Sequence, residues 1–173
     1  MTKQELIKAF YDNHQQLSDY INALTDEQFV YSGNGKWTAG QQFSHVYLTL
    51  LPFPKILPSK DFIAQKFGKI DRPIWEYETV LQNYYKTSLQ APPQFLPEQV
   101  HPNQKAVITA DLQHILLTIQ QLLEPYTDQE LDSLVLPHPL LGKMTIREMF
   151  YLMSYHAIHH LRQTEKNLEE LTR

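Results

Sequence analysis

The feature that most constrains this chain is the apolar stripe that begins at Ile146. Ile146, Met149, Phe150, Met153, Ala157, Leu161, Thr164 and Leu168 recur at helical steps and share one broad face of a helical wheel. Thr145 and Glu148 have the spacing of a capping box, and Met144 with Met149 has that of a hydrophobic staple. The stretch from Thr145 to about Leu171 therefore reads as one helix of about 26 residues, roughly 39 Å long. Only 5 glycines occur in 173 residues, which argues against a turn-rich sheet fold and for more helices.

Three further long helices follow from the same logic. Thr2 and Glu5 form a capping box ahead of Leu6, Phe10, Leu17, Ile21 and Leu24, and Thr25-Asp26 ends or restarts that helix. Thr38 and Gln41 cap a second helix carrying Phe43, Val46, Tyr47, Leu50 and Leu51, with Pro52 and Pro54 bending or stopping it. A third runs from about Thr109 to Glu124 on Leu112, Ile115, Leu116, Ile119, Leu122 and Leu123. Between the second and third lies a long connector with an extra helix near Trp75–Leu89, followed by Pro92, Pro93, Pro97 and Pro102. The expected fold is all-α: a four-helix bundle in one domain, residues 1–173, with a crossover connection. An internal echo supports two hairpins of similar plan. Thr25-Asp26-Glu27-Gln28-Phe29 is answered by Thr127-Asp128-Gln129-Glu130-Leu131, and Gly35-Lys36-Trp37-Thr38 by Gly142-Lys143-Met144-Thr145.

Composition excludes several functions. A net charge of −4 gives no support to nucleic-acid binding, which usually needs a basic face. No apolar run approaches the roughly 18 residues of a membrane span. MTKQELIKAF lacks the apolar core of a signal peptide, and the chain has no cysteine. The expectation is a cytoplasmic protein without disulfides, in which no protein thiol serves as nucleophile or ligand.

The last helix carries the chemistry. Tyr155–Gln163 reads YHAIHHLRQ, with three histidines in five residues. His156 and His160 fall on the edge of the apolar face, while His159 points toward the flank. Imidazoles at i and i+4 are neighbours and can hold one metal ion, the geometry of HExxH zinc helices. Ala157 replaces the glutamate of that motif, so a metalloprotease is not expected. A third ligand must come from elsewhere. Glu148 is explained by its cap role, and His45 is the better candidate. Similar depth from similarly capped helix starts brings His45 to His156 if the two helices enter from the same end. Of the others, His14 is expected at the surface, with an approach to the site as its alternative; His101 in solvent; His114 off the apolar stripe of the third helix; and His138 in a structural turn, with the pocket mouth as its alternative. Gln163 reads equally as a partner of a ligand histidine or substrate and as a surface residue; Trp37 reads as a packing anchor.

Trp37-Thr38-x-x-Gln41-x-x-x-His45 followed by His156-x-x-His159-His160-x-x-Gln163 resembles the DinB-like superfamily, damage-inducible-type four-helix bundles whose relatives include bacillithiol S-transferases. HPLLGKMTIREM is similar to one bacterial subgroup. The resemblance implies a divalent metal held by His45, His156 and His160, frequent homodimers, and low-molecular-weight thiols as cosubstrates in S-transfer or mycothiol-dependent isomerisation. Zinc or nickel is the expected ion, with manganese or iron as alternatives. Three neutral imidazoles leave an ion its full charge and an open position. No side chain is singled out as general base. The readings carried forward are a metal-dependent enzyme on small molecules, transferring a thiol to an electrophile; a hydrolase using metal-bound water; a non-catalytic metal-binding or stress protein; and a helical interaction module without metal.

Overall fold

The computed structural model describes residues 1–171, and the chain is mostly helical. Threonine capping boxes punctuate it. Thr2 starts α1 (Lys3–Ala23), Thr25 starts α2 (Asp26–Val30) and Thr38 starts α3 (Ala39–Leu50). Thr127 starts α8 (Asp128–Ser133), and Thr145 starts α9 (Ile146–Glu169). In each, the hydroxyl accepts from the amide three residues on, and the Glu or Gln there accepts from the threonine amide, so two terminal donors are satisfied together. The echo between Thr25 and Thr127 is thus a pair of short capped helices, α2 and α8, each preceding a long one.

The long helices share one core. α9 packs against α1, α3 and α8, and α7 (Lys105–Leu123) packs against α1 and α3. Leu6, Phe10, Leu17, Phe43, Val46, Leu112, Ile119 and Phe150 are fully or almost fully buried in it. Every residue of α9 from Ile146 to Ala157 is buried, so this helix is enclosed on all sides, not only along its apolar stripe. Gly40 sets how closely α3 can approach α2. A Cβ there would stand 2.7 Å from the Phe29 ring.

The connector is more structured than its prolines suggest. It contains α4 (Phe53–Ile56), α5 (Lys60–Phe67) and α6 (Tyr77–Tyr85), where one longer helix from Trp75 to Leu89 was expected. α6 ends at Tyr85, and Leu89, four residues on, has φ +54, outside the helical region. α7 begins at Lys105, four residues before the expected start, because a 3₁₀ turn at Pro102–Gln104 leads directly into it. A small antiparallel hairpin was also not anticipated. β1 (Val135–His138) pairs with β2 (Gly142–Thr145), with His138 opposite Gly142 at φ +71, the left-handed residue that closes a three-residue hairpin loop.

One helical stretch among the described residues, Pro102–Leu123, is long and apolar enough to cross a membrane by length and composition, at mean hydropathy 1.2. Its polar residues interrupt any continuous apolar run, and it gives Leu112, Ile115, Leu116, Ile119 and Leu123 to the core.

Candidate metal centre

α3 and α9 cross in opposite directions. Trp37 lies beside Asn167, Gln42 beside Gln163 and His45 beside His156, so residue numbers rise on one helix as they fall on the other. The condition on which the depth argument for His45 rested, that both helices enter from the same end, is therefore not met. His45 reaches His156 because the middles of two antiparallel helices meet.

There, His45, His156 and His160 come together, 4%, 6% and 5% exposed. Their candidate ligand atoms all lie within 4.8 Å of one another. His156 Nε2 is 3.3 Å from His45 Nε2 and 3.0 Å from His160 Nε2. Two nitrogens on one tetrahedral ion at about 2.0–2.1 Å would be roughly 3.3 Å apart, so the two spacings to His156 fit one ion. The outward nitrogens set the tautomers. His45 Nδ1–H donates to the Phe95 carbonyl at 2.7 Å, and His160 Nδ1–H donates to Gln42 Oε1. Both leave an Nε2 lone pair pointing inward. Facing lone pairs repel unless an electrophile lies between them, and outward Nδ1–H donors are the usual supports of metal-bound imidazoles. His156 Nδ1 is buried without a partner among the described residues.

Electrostatics agrees with neutral ligands. Burial pushes the pKa of His156 and His160 well below the ordinary histidine value, and neighbouring histidines push further in the same direction. His45 is lowered by burial, partly offset by its bond to Phe95. Neutral imidazole is the form that binds metal.

The support continues outward. Gln42 Nε2 donates to Gln163 Oε1 at 3.2 Å, and Gln163 Nε2 lies 2.7 Å from His159 Nε2. Since an amide nitrogen only donates, His159 accepts through Nε2 and carries its proton on Nδ1. One directed chain thus runs from His160 through Gln42 and Gln163 to His159. His159 is half-buried against Tyr84, Tyr85 and Tyr155, further inside than a flank position. Trp37 does more than anchor packing. It stacks on His160 with centroids 6.3 Å apart and lies 5.0 Å from His45.

The histidines open onto a cavity of about 980 Å³, within the usual range for small-molecule sites. Phe53, Ile56, Leu136, Met149, Leu152 and Met153 form its apolar wall, and the connector residues Phe95 and Leu96 help close it.

The remaining candidates are sorted by the structure. Glu148 is not at the centre. It caps α9, forms a two-pronged pair with Arg72 and accepts from the Trp75 amide at 2.6 Å. His14, expected at the surface, is 1% exposed and donates from Nδ1 to the Phe10 carbonyl at 2.7 Å. Its ring packs on Phe10, which in turn packs edge-on against Phe150 in the core. His101 and His114 are exposed, as expected. His138 sits in its turn and also lines the cavity. Gln42 and the Phe95 carbonyl were missed. A signal for Gln42 exists, three residues before His45 as Gln163 is three after His160. A backbone carbonyl from a proline-rich connector has no such signal.

Helices crossing around three buried, neutral imidazoles define a helical protein with a site able to hold a metal ion. A family model described as the DinB superfamily matches residues 9–164, most of the chain, and the protein belongs to that superfamily. Comparison with curated proteins and with solved structures returns no match.

Proposed function

We propose that this protein is a divalent-metal-dependent enzyme acting on small molecules, transferring a low-molecular-weight thiol to an electrophile. The observation that carries this reading is the convergence of three Nε2 atoms, two with Nδ1–H turned outward, at the wall of a cavity large enough for a substrate. In this reading α1, α3, α7 and α9 form a four-helix bundle, the ion is zinc or nickel, and His45, His156 and His160 hold it. When bound, such an ion supplies Lewis acidity that favours the thiolate of an incoming thiol at neutral pH. The chain's own part is to orient and to exclude water. Gln42 and the Phe95 carbonyl fix the ligand rings, Trp37 covers one side, and the apolar wall takes the body of the substrate. With no cysteine in the chain, the thiol must arrive as a cosubstrate.

The test is turnover of electrophiles with a panel of small thiols, wild type beside His160→Ala. The reading expects thiol-dependent turnover that falls at least a hundredfold in the variant. Turnover without any added thiol would favour hydrolysis instead. Turnover equal in the two proteins would remove the histidines from the reaction.

A further inference from the structure

The hairpin between α8 and α9 presents a second polar group to the cavity. In the turn after β1, the amides of Leu140 and Leu141 both donate to His138 Nδ1, at 3.1 and 3.2 Å. A ring nitrogen that accepts two N–H groups carries no proton, so the proton of the neutral ring is on Nε2. That edge of the ring points away from the two amides. The ring lines the cavity, and Nε2 makes no hydrogen bond among the described residues. Burial holds the His138 pKa down to about 4, so the ring stays neutral near pH 7. The hairpin therefore builds a donor with a fixed tautomer, held by backbone and not by a flexible side chain.

The rest of the cavity narrows what this donor can receive. Among the described residues no aspartate or glutamate lines it, and the cationic lining residues are Lys36 and Lys166. Lys36 is paired with Glu170 at 2.7 Å. A cationic ligand would find no carboxylate on this lining, whereas a neutral or anionic oxygen would find the imidazole N–H. His138 and the histidine cluster line the same cavity, so one ligand in it has both the donor and the cluster on its walls.

We propose that His138 is a substrate-binding residue whose Nε2–H holds an acceptor oxygen, carbonyl or carboxylate, of a small and otherwise apolar molecule. The proposal rests on the reading of this cavity as a substrate site and adds the chemical class of the substrate.

His138→Asn separates the two jobs of the ring. The asparagine Oδ1 can take the place of Nδ1 and accept from the turn amides, but its side chain ends short of Nε2. Chelator-stripped protein is titrated with octanamide and, separately, with octylammonium, by calorimetry. Octanamide should bind the wild type saturably and bind His138→Asn about fivefold or more weakly, the loss of one hydrogen bond. Octylammonium should bind the wild type more weakly than octanamide. Equal octanamide affinity in wild type and variant, or no binding to either, overturns the proposal. If the variant does not fold, nitrogen-15 spectra of the wild type decide. A proton on His138 Nε2 whose resonance moves with octanamide supports the proposal; a proton on Nδ1, or no movement, refutes it. Because the protein is stripped, the result stands apart from whether an ion or thiol transfer is found.

Discussion

α9 carries two buried polar clusters, and they are built on opposite principles. Near its start, Arg147 and Glu148 are both buried, and each is matched by partners. Arg147 reaches Asp128, Asp132 and the Met1 carbonyl. Glu148 receives Arg72 twice and two backbone amides. About two turns on from Glu148, His156 begins a cluster whose inner nitrogens face one another. Burying a polar group costs free energy unless it is hydrogen-bonded. The first cluster meets that condition with protein alone and serves to tie the connector and hairpin to α9. The second meets it only from outside, with Nδ1 groups of His45 and His160, and leaves its inner lone pairs for a ligand. Satisfaction of polar groups, not burial or charge, separates the structural site from the functional one.

Glu148→Ala should break the structural cluster most severely. It leaves the Thr145 and Trp75 amides without their side-chain acceptor and Arg72 with only the Pro73 and Lys143 carbonyls, and the expected loss is about 3–5 kcal/mol in urea unfolding. The metal content of the folded fraction should not change. A loss under 1 kcal/mol would show that the first cluster does not hold the helix in place.

The next largest effect is set by pH and lies outside both clusters. Burial lowers the His14 pKa to about 4, from about 6.5 in an unfolded chain. Between these values the unfolded chain binds the proton and the folded one does not. The contribution of His14 is therefore complete above about pH 6.5 and is lost as pH falls toward 4, by about 3 kcal/mol. His14→Leu should flatten part of the stability decline between pH 6.5 and 4, with His138 retaining its own share in the same window. An unchanged slope would contradict a buried neutral His14.

Gln42→Leu probes the functional cluster from behind. Removing the acceptor of His160 Nδ1–H should weaken divalent-ion affinity about 10–100-fold, measured by competition with a chelator, with all three ligands present. Wild-type affinity in the variant would show that the directed chain through Gln163 does not support the centre. The smallest effect is expected at His114, exposed on α7. His114→Ala should stay within about 0.5 kcal/mol of wild type and leave ion affinity unchanged.

The same contrast explains what could be read from sequence. Thr-x-x-Glu and Thr-x-x-Gln boxes are local, so the starts of α1, α3 and α9 were legible to the residue. His156 and His160 were legible as a pair because helical spacing is local too. His45 was found through motif order, yet the geometric reason given for it was wrong, because helix direction is a tertiary fact that no local pattern records. The β1–β2 hairpin was hidden by its brevity, four residues a strand. Burial of His14 was hidden because a single histidine beside an apolar stripe looks the same whether it faces the core or water. Partners of Glu148 from the connector, and of His45 from Phe95, lie more than 40 residues away and appear only once the chain has folded.

The most direct test of the central claim is elemental analysis of untagged protein, wild type beside His45→Ala, after reconstitution with zinc, nickel or manganese and removal of excess ion. Three converging imidazoles predict about one divalent ion per chain in the wild type and a large reduction in the variant. No bound ion in the wild type with any of these metals, or equal content in both proteins, would contradict a metal centre at His45, His156 and His160.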